Sequence, residues 1–371
     1  MHLTRRVRPI LLLLCLLWDL YSFPAAAAEP AVTADAAILL DAGTGQVLFG
    51  KNDHQRRPPA STTKIMTGLL ALEGGDLNRV ATVSERAAST GEASISLRAG
   101  EKISLEDLVY GALLESGNDA CVAIAENIAA TESNFVLLMN QKARLIGARD
   151  TCFKNPNGLP AAGHYSTAFD LAAIARYALN NAQFAGVVGT REKVIGREHK
   201  RHVFNTNGLL CTYPGADGVK TGTTDEAGRC LVGSATRDGR RLITVVLHSD
   251  DRFGDTITLL DYGFKQFETV RAVERGETLA SVLVKNGAGP AVQAVADGDV
   301  SAVIPRGAAG LIEKKVILDQ DLTAPVAAGQ WVGQVNVLVG GVFAGTAALV
   351  AAGAVEAEGI LKYRLFFKRT S

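Results

Sequence analysis

A helix that is apolar on every side can only be stable inside a protein. Residues Ile65 to Leu72 (Ile-Met-Thr-Gly-Leu-Leu-Ala-Leu) read as such a helix. Pro58-Pro59 ends whatever precedes it and can lead into the helix. The chain must therefore build a core around this segment. It has the material to do so: 47% of its 371 residues are apolar and 20% are charged. At roughly 100–200 residues per domain the length suggests two domains, and the composition is not that of a disordered tail.

The first 28 residues stand apart. Arg5, Arg6 and Arg8 open the chain, Ile10 to Trp18 is an unbroken apolar run, and Ala25 to Ala28 offers an Ala-x-Ala cleavage site. This pattern predicts a secretory signal peptide over 1–28 and an exported, periplasmic or extracytoplasmic protein. The run is too short to span a bilayer, which takes about 20 residues. The whole chain has 38 basic and 38 acidic residues. Residues 1–28 carry three arginines and one aspartate, so without them the counts become 35 and 37, a formal charge of −2. No basic excess points to nucleic acid. Cys121, Cys152, Cys211 and Cys230 remain. Export permits disulfides, but a domain of this size does not need them, and buried free thiols are the expected state.

Ala37–Leu40 and Gln46–Phe49 flank Asp41-Ala42-Gly43-Thr44-Gly45, a strand, a glycine-rich turn and a strand. Helical signal runs from Leu105 to Ala130, interrupted by Ser116-Gly117-Asn118, and again from Thr167 to Asn180. Strands are expected at 219–223, 230–236 and 241–247. The last two flank an Asp238-Gly239 hairpin turn, and a helix over 257–267 closes the first domain. Beyond Glu268, short Val/Ala/Ile segments punctuated by glycines predict a small all-β sandwich or barrel. That part has no cysteine or histidine. It is expected to be a spacer or partner platform over 268–356, not a place for chemistry.

Three short motifs carry the chemistry. Ser61-Thr62-Thr63-Lys64 begins the apolar helix, Ser116-Gly117-Asn118 breaks the next helical stretch, and Lys220-Thr221-Gly222 lies in a strand. Residues at i and i+3 share a helix face, so the Lys64 amine can reach the Ser61 hydroxyl. A hydroxyl becomes a useful nucleophile when an adjacent base takes its proton. Lysine can be that base only when neutral, and burial or a second positive charge such as Lys220 favours the neutral form. The helix start offers free N–H groups to an oxyanion. Ser116 and Asn118 suit proton relay and the holding of a substrate amide. Lys220 on an edge strand suits a substrate carboxylate, and Gly222 admits a close backbone.

The order Ser-x-x-Lys, Ser-x-Asn, Lys-Thr-Gly resembles penicillin-binding proteins and serine β-lactamases. Their wider context, Ala60 to Thr67, Glu115 to Ala120, Asn157-Gly158-Leu159 and Asp217 to Gly222, is similar to the low-molecular-mass D-alanyl-D-alanine carboxypeptidases. The resemblance extends from about residue 33 to the end. It implies an α+β fold: a β-lactamase/transpeptidase-like domain over 29–267, an antiparallel sheet flanked by helices, followed by the all-β sandwich. It implies removal of the terminal D-Ala from peptidoglycan stem pentapeptides, with β-lactam antibiotics as covalent inhibitors and no cofactor or metal. Ser61 would be the nucleophile, Lys64 the base and Ser116 the proton shuttle. Lys220 and Thr221 would bind the carboxylate, and Asn118 the peptide amide. The N–H groups of Ser61 and Thr223 would form the oxyanion hole. The family often has histidine where Thr223 stands, and some members have it in place of Asn157.

Several alternatives stay open at this level. A class A β-lactamase would need a Glu-x-x-x-Asn segment. Glu126, Glu132, Glu192 and Glu198 are instead followed four residues later by Ala130, Val136, Gly196 and His202. A D,D-endopeptidase and a catalytically silent wall-binding protein are the other readings. His164 is expected to be a surface or loop histidine and Cys121 a packed helix thiol. Six scattered histidines show no zinc spacing. The tail over 357–371 mixes basic and aromatic residues and can contact an anionic membrane peripherally, although its amphipathicity is poor.

Overall fold

The structure is a computed structural model that describes residues 29–74, 76–319 and 322–359. Residues 1–28, expected to be a signal peptide, and the tail from residue 360 lie outside the described residues. The chain opens with strands β1 (Ala36–Asp41) and β2 (Val47–Lys51), and a tight turn, Ala60–Thr63, leads into helix α1 (Lys64–Gly74). β3 (Val80–Thr82), α2 (Glu85–Ala88) and β4 (Lys102–Ser104) form a small flap before α3 (Leu105–Leu113) and α4 (Asn118–Ala129). Three more helices follow: α5 (Glu132–Ile146), α6 (Ala168–Leu179) and α7 (Ala182–Gly189). A short hairpin of β5 (Glu192–Ile195) and β6 (Arg201–Phe204) and helix α8 (Leu209–Thr212) precede the long strands β7 (Ala216–Thr224), β8 (Gly228–Arg237) and β9 (Arg240–Ser249). α9 (Arg252–Gln266) completes this half.

The main sheet is antiparallel, in the order β2-β1-β9-β8-β7. Both of its faces are covered, and β1 shows why its sequence is apolar throughout. Ile38 and Leu40 face one cluster, with α1, α3, α4 and α6; Ala37 and Leu39 face another, with Leu259 and Leu260 of α9. Helix α1 is buried from Lys64 to Leu69, as its all-round apolarity requires. Gly68 allows this: a Cβ there would meet Leu113 at 2.8 Å. The break between α3 and α4 falls at Ser116-Gly117, and α9 starts five residues earlier than Ile257 because Asp251 caps it, accepting from Gly254 N at 3.0 Å.

The second half is all β. Strands β10 (Phe267–Val273), β11 (Thr278–Leu283), β12 (Ala291–Ala296), β13 (Val300–Pro305), β14 (Ile312–Leu318), β15 (Trp331–Val339) and β16 (Val342–Ala351) build two sheets. One pairs β10 with β13; the other has the order β11-β12-β16-β15-β14. Their inner faces share a core of Val, Ala and Leu. The two halves are tied by side chains. Gln46 exchanges two hydrogen bonds with the Val303 main chain, at 3.1 and 2.7 Å, and Arg306 donates to the carbonyls of Phe264 and Lys265. The cavity between the halves, about 740 Å³, is lined by Thr44, Arg240 and Thr346 among others, and none of the three motifs borders it.

Candidate active site

The position of Ser61 begins with a turn. Thr62 bonds back to the Pro59 carbonyl through both its N–H, at 3.2 Å, and its hydroxyl, at 2.7 Å. Ala60 is held in the left-handed region at φ 48°, a conformation a non-glycine residue pays for. Gly158 closes on it so tightly that a Cβ would lie 1.9 Å from the Ala60 carbonyl oxygen. From the other side Gly222 of β7 reaches the same turn: a Cβ on it would sit 3.0 Å from the Ser61 nitrogen and 3.1 Å from the Thr62 nitrogen. Ser61 is half-buried at the surface of this junction.

Lys64 is fully buried one turn further on. Its Nζ lies 2.8 Å from Ser61 Oγ, 2.8 Å from Asn118 Oδ1 and 2.6 Å from the Asn157 carbonyl. Asn118 is pinned the right way round because its amide nitrogen donates to the Gly91 carbonyl at 3.0 Å. Two of the three neighbours of Nζ can therefore only accept. A neutral amine has two N–H bonds and one lone pair, so the two fixed acceptors take the N–H bonds and leave the lone pair for the Ser61 hydroxyl proton. Burial makes that neutral state more accessible, pushing the Lys64 ammonium down to about 8.

Lys220, at the centre of edge strand β7, is 1% exposed. Its Nζ has a single hydrogen bond, to the Thr221 carbonyl at 3.1 Å. Burial, and then the charge of Lys64, hold its ammonium well below the usual lysine range. Among the described residues no carboxylate pairs directly with either amine, although the charges of Glu92 and Asp119 favour the Lys64 ammonium from further off. Asp119, next to Asn118, is turned away and accepts from Ser94 Oγ, Ile95 N and Leu97 N. Cys121, one turn along α4, stays a neutral thiol because burial pushes it up to about 11. Thr221 shares a hydroxyl–hydroxyl bond with Thr206 at 2.7 Å.

The three motifs are thus brought to one place, with differences in detail. Ser116 is buried and left-handed at φ 70°, but its Oγ makes no hydrogen bond to either lysine. Asn118 is 2% exposed and spends its carbonyl on Lys64, so only its second amide N–H is left for a substrate. Thr223 is exposed, and its Oγ receives a hydrogen bond from Arg252 at 2.9 Å. His164 corrects the sequence expectation. It lies in a loop, but it is buried, with Nε2 3.0 Å from Thr63 Oγ1 and Nδ1 accepting from Lys154 N at 3.4 Å. Its hydrogen bonds go to Thr63 and Lys154, not to Ser61, and burial takes its imidazolium down to about 4. The four cysteines among the described residues are unpaired, but of these only Cys121 and Cys230 are buried; Cys152 is half-buried and Cys211 exposed.

Sequence reasoning missed two contributors. The Asn157 carbonyl is a main-chain group with no residue-type signal. Arg252, the first residue of α9, donates to the Gly222 carbonyl at 3.0 Å and so adds a second cation to the end of the cleft. Nothing in its local sequence marks it.

A half-exposed serine beside a buried amine, on a helix packed under an antiparallel sheet, defines a serine hydrolase. The D-alanyl-D-alanine carboxypeptidase family, peptidase S11, matches residues 24–251, and the penicillin-binding protein 5 C-terminal domain matches residues 267–357. The D-alanyl-D-alanine carboxypeptidase DacF of Bacillus subtilis is 38% identical over 316 residues, 82% of this chain and 81% of the relative. DacD of Escherichia coli, of the same description, is 32% identical over 332 residues, 85% of each chain. Penicillin binding protein 5 of Haemophilus influenzae has a similar structure, with a TM-score of 0.78 and 32% identity over 89% of this chain and all of the other. The chain belongs to the D-alanyl-D-alanine carboxypeptidase family. It is a penicillin-binding D-Ala-D-Ala carboxypeptidase of cell-wall metabolism, with a catalytic domain followed by a β domain.

Proposed function

We propose that Ser61 is the nucleophile that removes the terminal D-Ala from peptidoglycan stem pentapeptides, with Lys64 as its base. The observation that carries this reading is the hydrogen-bond inventory of Lys64, which leaves the lone pair of a neutral amine opposite the Ser61 hydroxyl. Substrate enters with its terminal carboxylate at Lys220 and Thr221, where the ammonium has only one hydrogen bond. The anion recharges Lys220, and the resulting ion pair sits beside Lys64 without adding net charge. Ser61 Oγ loses its proton to Lys64 Nζ and bonds to the carbonyl carbon of the penultimate D-Ala. The N–H groups of Ser61 and Thr223 hold the oxyanion. The carbon–nitrogen bond to the terminal D-Ala then breaks, the leaving amine taking the proton from Lys64 by way of Ser116. Water hydrolyses the ester, transferring an acyl group and restoring the serine.

A β-lactam follows the same first steps, but its leaving amine stays tethered to the acyl group and blocks water. The protein acts outside the cytoplasm once residues 1–28 are removed. Residues 268–356 act as a spacer or partner platform, and the basic–aromatic tail over 357–371 touches the anionic membrane surface. Ser61→Ala tests the centre of this reading. It should abolish covalent labelling by a fluorescent penicillin and release of D-Ala from a diacyl-Lys-D-Ala-D-Ala peptide; undiminished labelling would overturn the assignment.

A further inference from the structure

Arg252 stands where a helix least favours it. It is the first residue of α9, and a cation in the first turn opposes the helix dipole. Its hydrogen bonds go to three uncharged oxygens: the Gly222 carbonyl at 3.0 Å, Thr223 Oγ1 at 2.9 Å and the Cys230 carbonyl at 3.5 Å. The turn that carries it is firm. Asp251 caps the helix, and Asp255, one turn on, accepts from Thr33 N at 2.9 Å, Thr33 Oγ1 at 2.8 Å, Ala34 N at 2.9 Å and Ser249 Oγ at 2.6 Å. A side chain mounted on such a turn can hold what it touches.

What it touches is one peptide unit. The Gly222 carbonyl and the Thr223 N–H share a trans peptide plane and point in opposite directions. A donor held on the carbonyl therefore aims the N–H, which is one of the two proposed donors to the oxyanion. The Thr223 hydroxyl adds to the grip, donating to the same carbonyl at 2.8 Å while it accepts from Arg252. Donors on a carbonyl also polarise its peptide and strengthen the N–H on the other side. The need for such a hold is local. The close approach of the Ser61 turn favours glycine at 222, where a Cβ would sit 3.0 Å from the Ser61 nitrogen, and glycine leaves the backbone loose. β7 is an edge strand, so no neighbouring strand pins this peptide from its outer side. We propose that Arg252 is a positioning residue for the reaction, holding the Gly222–Thr223 peptide so that its N–H meets the oxyanion. This inference rests on the reading of the site given above.

The test separates chemistry from binding. Acylation by a fluorescent penicillin over a range of concentrations gives a dissociation constant for the first complex and a limiting rate. Losing an oxyanion donor outright costs about 10²–10³ in rate. Arg252→Met removes the hold but not the N–H, so the limiting rate should fall by less, about 10- to 30-fold, with the dissociation constant within about 3-fold of wild type. Thr223→Val, which loses only the hydroxyl, should slow acylation by about 3-fold. Acetamidomethylboronic acid gives an independent readout. Its boron accepts Ser61 Oγ, leaves a hydroxyl oxygen in the oxyanion hole and brings no carboxylate. Arg252→Met should weaken its binding by about 10-fold. An unchanged limiting rate with a weaker first complex would show that Arg252 meets the ligand's carboxylate instead, and would overturn the inference. Wild-type affinity of Arg252→Met for the boronic acid would do the same. Full labelling of Ser61→Ala would overturn the site reading and this inference with it.

Discussion

If Lys64 is the base, as proposed, its protonation state sets the rate of this centre at neutral pH. Desolvation takes Lys64 from the ordinary lysine range to about 8. At pH 7 about a tenth of it is then neutral, against about 0.03% of an unperturbed lysine. The difference is about 300-fold in active base, or about 3 kcal/mol. The sign follows directly: raising the pH removes the proton that blocks the lone pair, so acylation accelerates. The limiting rate of acylation by a fluorescent penicillin, measured at saturation so that the bound carboxylate keeps Lys220 charged, should rise about tenfold per unit below pH 8. It should level off near pH 9. Lys64→Arg supplies the control. Guanidinium keeps its proton at every accessible pH and cannot serve as base, so the rate should fall by about 10³ across the range. A flat profile between pH 6 and 9, a midpoint at 10 or above, or near-normal acylation by Lys64→Arg would refute the argument.

Three further outcomes are expected. Gly158→Ala places a Cβ 1.9 Å from the Ala60 carbonyl at φ +88°, so it should displace the nucleophile's turn and lower both the melting temperature and penicillin labelling; wild-type values for both would contradict the packing. His164 is neutral in the folded state down to about 4, whereas an unfolded histidine gains its proton near 6.5. Its contribution is therefore complete above pH 6.5 and is lost as the pH falls below it, by about 2 kcal/mol between pH 7 and 5. Urea midpoints at the two pH values should show this loss in the wild type and less of it in His164→Gln. Deletion from Phe267 onward removes the Gln46 and Arg306 contacts but no side chain near Ser61, so a folded truncation should acylate within a few fold of the full chain.

What the sequence could reveal follows from how local each cause is. The burial of α1 is written in its own apolar circumference, and the Ser61–Lys64 approach in a spacing of three. The Asp238-Gly239 hairpin was written in its turn residues, whereas the edge position of Lys220 comes from the strand order, which puts β7 at the end of the sheet. Helix α5 went unread because only Phe135, Met139 and Ala143 form its buried stripe, while Leu137, Leu138 and Leu145 are exposed and blur the period. Its caps, Thr131 and the left-handed Gly147, were the signal available. α7, started by Asn181, is too short to establish a period. The third partner of Lys64 was beyond reach for another reason. The Asn157 carbonyl is aimed by Asn155, which accepts from Gly158 N at 2.7 Å and donates to the Leu159 carbonyl at 2.8 Å. A residue that works by folding its neighbours leaves no chemical signature of its own. His164 looked like a surface residue because its burial depends on contacts such as Thr63, about a hundred positions away.

The electrostatics of the cleft also explain why one site would bind both a peptide and a penicillin. Two buried amines lie near enough for the charge of one to lower the other, and no carboxylate pairs directly with either among the described residues, so burial disfavours holding both as ammonium ions. Any ligand that brings a carboxylate to Lys220 supplies the missing counter-charge and is stabilised by the deficit it relieves. The same ion pair spares Lys64 from having to carry that charge, so the anion that binds also leaves the base free. A fixed aspartate beside Lys220 would abolish both effects: it would satisfy the ammonium before substrate arrived and repel the incoming carboxylate. The placement of Asp119, one residue from Asn118 but bonded to the 94–97 loop, keeps the site short of one negative charge. On the proposed reading, binding and activation depend on the same absence, so recognition is expected to centre on a terminal carboxylate and not on the side chain of the residue being removed.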